Sequence, residues 1–407
     1  MSRETSASPT TGRERYVILD ATRGFALAGI CLANFPEFSL WTFLPDELRE
    51  SMPSAQTDAI VRFMQYLLID AKFYTIFSLL FGLGFALFIE RAMLKGRHAL
   101  RLFWRRMLFL ALIGLVHLLF IWSGDILLLY ALGGMCLPLL RGLSGRNMLR
   151  LAALLLLLPI AIDALELWAG WELSSPMERA WWSHAEARGI NEGNFHTWLR
   201  DATSYAQVWD FLVQGAYERM YEFLDGHRLL KVLGLFLIGY HVGRQKLYQN
   251  LPSHQQAIKK GTQLLLGVGL PCSTLYAWSC THGHPWGTIV HSILYALSAY
   301  PMGAAYVGLL ALLYIRHERS RLFTVLAAPG RMALSCYLGQ SVAGCALFYG
   351  IGLGWGTTMG LTAVEFTAAM VFCAETLLCL LWLTRYRFGP AEWVWRMLTY
   401  GQWLPLK

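Results

Sequence analysis

Apolar residues run in stretches of about twenty along this chain, separated by short polar breaks, from Tyr16 to beyond Thr384. A hydrocarbon layer of about 30 Å takes roughly 20 apolar residues per helix, and these stretches are apolar on every side instead of alternating as barrel strands do. The pattern predicts an all-α, polytopic membrane helix bundle. About ten transmembrane helices are expected, over residues 17–36, 68–90, 105–122, 125–141, 149–169, 229–245, 262–280, 287–314, 332–352 and 362–384.

The first stretch, YVILDATRGFALAGICLANFPEF, is the one around which the others are expected to pack. On a helix Asp20, Arg23, Leu27, Ile30 and Asn34 share one stripe, with Arg23 and Asn34 about 16 Å apart along the axis. The positions opposite, Gly24, Ala28, Gly29 and Ala33, are small and let neighbouring helices approach closely. Charge inside an apolar span costs a few kcal/mol, so Asp20 and Arg23 are expected to pair or to sit at the interface. A helix-end ion pair and a functional site both satisfy that pattern.

Basic residues collect in every second loop. They are Arg3, Arg13 and Arg15; Arg91, Lys95, Arg97, Arg101, Arg105 and Arg106; Arg141, Arg146 and Arg150; Arg244, Lys246, Lys259 and Lys260; Arg316, Arg319, Arg321 and Arg331; then Arg385, Arg387, Arg396 and Lys407. The intervening loops are acidic or nearly neutral, as with Asp46, Glu47, Glu50 and Asp58. By the positive-inside rule both termini are cytoplasmic. Residues 1–15 read as a disordered cytoplasmic arm without the apolar core of a signal peptide. Residues 16–388 form the membrane domain, interrupted by an extracytoplasmic insertion at 170–228, and residues 389–407 form a cytoplasmic interfacial helix. The insertion is rich in Trp, Glu and Arg; it either roofs a cavity or lies on the outer leaflet as an anchoring belt.

Composition agrees, with 56% hydrophobic and 15% charged residues and a mean hydropathy of +0.43. The formal charge of +8 is accounted for by topology, so no nucleic-acid partner is expected. The eight cysteines form no CxxC pair and read as packing residues. Walker, GxSxG and HExxH patterns are absent. His282 and His284 make an HxH beside His291, but without further ligands no metal is expected.

Threading the chain through ten spans places Asn34, Asp70, Lys72, His117 and Asp125 at one depth in the outer part of the membrane. A histidine held by a carboxylate is a competent general base, so His117 and Asp125 are candidate catalytic residues; a helix-to-helix hydrogen bond is the alternative for His117. On the cytoplasmic side Arg23, Arg91, Arg105, Arg106 and Arg331 gather at the ends of the same helices. Arginine forks suit phosphates, so this ring can take a coenzyme A thioester, although topology alone accounts for most of its members.

Several blocks, LDATRGFALAGICLAN, FSLLFGLGFAL, RRMLFLALIGLVHLLFIWSGDILLLYALGG, FLIGYHVGR, APGRMALSCYLGQS and FGPAEWVWR, resemble the YeiB-like bacterial inner-membrane proteins, known as domain of unknown function 418. The motif formed by Asp20, Arg23, Gly24, Ala26, Leu27 and Asn34 is also similar to the opening membrane block of heparan-α-glucosaminide N-acetyltransferases. That resemblance implies an acyl (acetyl) transfer from cytosolic acetyl-CoA or another acyl-CoA to an acceptor, a small molecule or a glycan or lipid, at the outer side of the bilayer. It implies Asn34 in the active site; the loop 35–53 lacks the histidine found there in those enzymes, leaving His117 or Glu37 as base. Donor binding then falls to Arg23, Asp20, Arg105 and Arg106. A solute or lipid transporter and a non-catalytic membrane protein are the alternatives, with the lipid bilayer as partner and a homo-oligomer left open.

Overall fold

The computed structural model describes residues 16–94 and 98–407. The arm expected over 1–15, and Lys95 and Arg97, lie outside them. Among the described residues every regular element is helical. In chain order these are α1 (Val17–Phe38), α2 (Asp46–Glu50), α3 (Ala55–Leu68), α4 (Lys72–Leu94), α5 (Ala99–Phe120), α6 (Leu127–Leu140), α7 (Gly145–Ala169), α8 (Ser175–Glu186) and α9 (Phe195–Asp201). There follow α10 (Tyr205–Asp225), α11 (Arg228–Arg244), α12 (Gln255–Thr281), α13 (Gly287–Arg316), α14 (Arg321–Arg331), α15 (Ala333–Phe348), α16 (Leu361–Arg385) and α17 (Pro390–Tyr400).

Each of the ten expected segments coincides with a helix. By length and apolarity, however, seven helical stretches suffice to cross a membrane, or eight when α14 and α15 count as one broken span. The shortfall is physical: α6 has only 14 residues and α11 only 17, short of the roughly 20 that a straight span takes. The segment expected as one helix from 332 is the second arm of a pair bent by 77°. Pro329 and Gly330 precede the bend, and Met332 leaves helical geometry there with φ −116° and ψ 32°.

The bend is anchored from the C-terminal helix. Glu392 on α17 accepts hydrogen bonds from the first amides of α15, Leu334 N at 2.6 Å and Ser335 N at 3.2 Å, and from Ser335 Oγ at 2.5 Å. A carboxylate suits a helix N-terminus, where amide N–H groups lack intrahelical partners.

Helix α1 is the most buried of the long apolar helices, with 61% of its apolar window inside the protein against 17% for α16. The small face does what its composition suggests. A Cβ added to Gly24 would overlap the Leu326 carbonyl, and one added to Gly330 would overlap the Asp20 carbonyl, so α1 and α14 cross backbone to backbone. Around this centre, α7, α12 and α16 present leucines such as Leu157, Leu264 and Leu378 outward, as lipid-facing helices do.

The 170–228 segment packs into the body of the protein. Ala185, Ile190, Phe195, Leu199, Phe211 and Leu212 share a core with Leu27, Phe35, Phe38, Trp122 and Phe348. It is therefore a cap on one end of the bundle and not a detached interfacial belt.

Candidate functional site

Two cavities enter the bundle and share Ile30, Ile126 and Tyr337 in their walls. The first, of about 400 Å³, is walled by α1, α4, α5, α14 and α17. Its charged lining is Arg23, Arg91, Arg106, Arg331 and Arg396 against Asp20 and Glu392, an excess of three positive charges. Asp20 and Arg23 pair at 2.6 Å in its wall. Arg106 lies 3.8 Å from the centre of the Trp395 ring, an arrangement in which the ring face attracts the cation. The Nε of Arg331 is buried without a hydrogen-bond partner among the described residues. Arg105 stands outside this lining, exposed beside Gly401 and Phe109.

The second cavity, of about 1100 Å³, is lined by α1, α4, α13 and the 170–228 cap. Asn34, Glu37, Asp70 and Asp125 face it, together with Asp163, Glu166, Glu172, Glu222 and Asp225, while Arg179, Arg219, Arg228 and Lys231 supply the positive charge. Carboxylates outnumber lysines and arginines here by eight to four, the reverse of the first cavity. The two cavities differ in sign.

Beside the shared wall lies a buried hydrogen-bonded chain. His117 ends α5, Asp125 sits in the short link before α6, and Ser341 lies on α15 one turn beyond Tyr337, on the same helix face. His117 Nδ1 is 2.8 Å from Asp125 Oδ2, and His117 Nε2 is 2.9 Å from Ser341 Oγ. Toward an ionised carboxylate Nδ1 donates, and the single hydroxyl proton of Ser341 has two acceptors in reach, Nε2 and the Tyr337 carbonyl at 3.2 Å. Asp125 Oδ1 also accepts from Leu128 N at 2.8 Å. His117, Asp125 and Ser341 are each at most 1% exposed. The Tyr337 ring, 5.1 Å from the imidazole, lines both cavities.

The structure thus brings together His117 and Asp125, and places Asn34 in the second cavity and Asp20, Arg23 and Arg106 in the first. Lys72 is turned away, its Nζ donating to the Tyr66 carbonyl at 2.5 Å. Sequence reasoning missed Ser341, which reads as one more small residue in YLGQSVAGC. It also assigned Arg396 and Glu392 to a surface helix. A charged pair on an amphipathic helix that follows the last span was the signal available.

The cap adds a titrating group. Glu218 on α10 is pushed up to about 8, first by burial and then by the neighbouring Glu222 and Glu37 carboxylates, with Arg219 acting the other way. From its ordinary value of 4.5 up to about 8 the unfolded chain releases a proton that the folded chain retains. Stability therefore falls as pH rises through that window. Glu218→Gln is expected to leave the melting temperature unchanged near the bottom of the window and to raise it by several degrees at the top. A pH series of detergent melting curves reads this, and parallel curves for the two proteins would refute it.

These features define a polytopic helical membrane protein with a basic and an acidic cavity that share part of their walls. The chain belongs to the family described as "Protein of unknown function (DUF418)", whose model matches residues 242–402. It is similar over nearly its whole length to YeiB of Escherichia coli strain K12, at 30% identity covering 95% of this chain and 96% of that protein. Similarity to YxaH of Bacillus subtilis strain 168 is 29%, covering 98% of both chains. Both relatives are described as uncharacterized. No solved structure matches the chain.

Proposed function

We propose that this protein is a transmembrane acyltransferase of a bacterial inner membrane, taking an acyl group from cytosolic acyl-CoA to an acceptor at the outer side. The observation that carries the reading is the convergence of five arginines on one cavity that shares three wall residues with an acidic cavity. A coenzyme A donor brings phosphates for the arginine forks, including the unpartnered Arg331 Nε. In this reading α6, α11 and the bent α14–α15 pair complete ten spans, and both termini are cytoplasmic, so the basic cavity opens to the cytosol.

The acceptor hydroxyl or amine attacks the thioester carbonyl; the new C–O or C–N bond forms, the C–S bond breaks and the thiolate leaves. His117 takes the acceptor's proton once Tyr337 swings aside and Ser341 yields Nε2, and Asp125 stabilises the imidazolium. The Asn34 amide donates to the developing oxyanion. The proton passes to the coenzyme thiolate.

Calorimetric titration of the purified protein with acetyl-CoA, and with desulfo-CoA-type controls lacking the thioester, tests the donor site. Saturable binding is expected, weakened about tenfold or more by Arg23→Ala, which corresponds to roughly 1.4 kcal/mol or more. Absence of binding to folded protein would overturn the reading. It would favour a passage for a small solute or lipid, for which the same two cavities speak.

A further inference from the structure

The HxH noted in the sequence is not the arrangement that the fold produces. Helix α12 ends at Thr281, and the link to α13 turns back through Gly283 (φ 70°) and His284 (φ 54°), held by a hydrogen bond from His284 N to the Ser279 carbonyl at 2.9 Å. His282 is drawn aside, its ring stacked on Trp278 at 4.4 Å and its Nδ1 2.8 Å from the Trp278 carbonyl. The turn instead directs His284 toward His291, one turn into α13, and the two rings meet edge to face at 4.4 Å. Buried Cys280, in the last turn of α12, completes the group.

We propose that Cys280, His284 and His291 form a zinc site. One ligand atom from each lies within 4.8 Å of the other two. Bond lengths of about 2.0–2.3 Å and tetrahedral angles need separations of roughly 3.6 Å, a closure within the range of side-chain rotation. A thiolate and two imidazoles are the donor set that suits Zn²⁺, and three protein ligands leave the fourth position for water or another ligand. A second observation points the same way. His291 Nδ1 is buried and has no hydrogen-bond partner among the described residues, so one face of this ring is uncompensated in the protein alone. Exposed His284 gives the ion a path in from solvent. Binding converts the Cys280 thiol to a thiolate and releases its proton to solvent. Because His291 also lines the second cavity, the ion sits in the wall of that cavity and clips the α12–α13 hairpin shut. The site is independent of any acyl transfer.

The test uses the full chain in detergent with any affinity tag removed, stripped with a chelator and titrated with Zn²⁺ against a chromophoric competitor, then with Co²⁺. One equivalent per chain is expected, with a thiolate-to-cobalt charge-transfer band in the near ultraviolet. Cys280→Ser and His284→Ala should each weaken zinc binding by about 100-fold or more and abolish the cobalt band, whereas His282→Ala leaves both unchanged. If the Cys280→Ser protein fails to fold, His284→Ala, on the exposed turn, decides. Absence of binding to the unaltered chain, or retention of affinity and band in His284→Ala, overturns the proposal.

Discussion

Asp125→Ala is expected to cost the fold about 3 kcal/mol and, on the proposed function, to slow acyl transfer by about 10²–10⁴-fold. The stability loss follows from two hydrogen bonds to a buried carboxylate, from His117 and from Leu128 N. Removing the carboxylate leaves both donors without a partner in an apolar surrounding, and charge-assisted bonds contribute about 1.5–3 kcal/mol each. The loss of transfer is argued separately. Without the carboxylate the imidazolium formed in the reaction has no counter-charge, and general-base catalysis contributes about 10²–10⁴-fold. Asp125→Asn separates the two effects. Its carbonyl still accepts from one donor, so much of the stability returns, while the charge and hence the catalytic gain do not. Melting curves together with an acetyl-CoA transfer assay read both. An Asp125→Asn protein that turns over at the normal rate would make the buried chain purely structural.

The second large effect is expected at the bend. Glu392→Ala removes an acceptor for two backbone amides and one hydroxyl at the start of α15, and should lower stability by about 3 kcal/mol. Burial pushes this carboxyl upward while its three donors pull it down. Glu392→Gln keeps an acceptor oxygen and should recover part of the loss. Ser335→Ala removes one donor to Glu392 and the acceptor of Ala391 N at 3.0 Å, and should cost less than Glu392→Ala. A melting temperature within a degree of the original in Glu392→Ala would mean that the bend is held by packing and that the carboxylate is incidental.

The helical architecture was legible because lipid imposes one rule on every span, and each apolar run from 17–36 to 362–384 formed a helix, although those at α6 and α11 fall short of a full span. The close approach of α1 and α14 was half legible: Gly24 and its small neighbours announced a tight partner, but not that Gly330 would supply the other half. The bend at Met332 carried a Pro-Gly signal that apolar continuity outweighed. The His117–Asp125 pair was readable because the two residues lie eight apart across a short link. Ser341 was not, since its role depends on how α15 is set by a carboxylate more than fifty residues later in the chain. Likewise Arg105 and Arg106 look alike in sequence, and only the direction of each side chain from α5 separates a cavity lining from an exposed surface.

The first cavity draws its walls from Asp20 and Arg23 near the beginning of the described chain and from Trp395, Arg396 and Tyr400 near its end. Those two sets are separated by several hundred residues and leave the ribosome at different times. While the chain is being inserted, α1 waits in the bilayer with its Asp20–Arg23 pair facing an open groove, and that groove becomes an enclosed site only after α17 has docked on α15. A chain in which α17 has not yet docked would thus be a membrane-integrated protein without the closing wall of this cavity, so that docking of α17 controls when the cavity first exists.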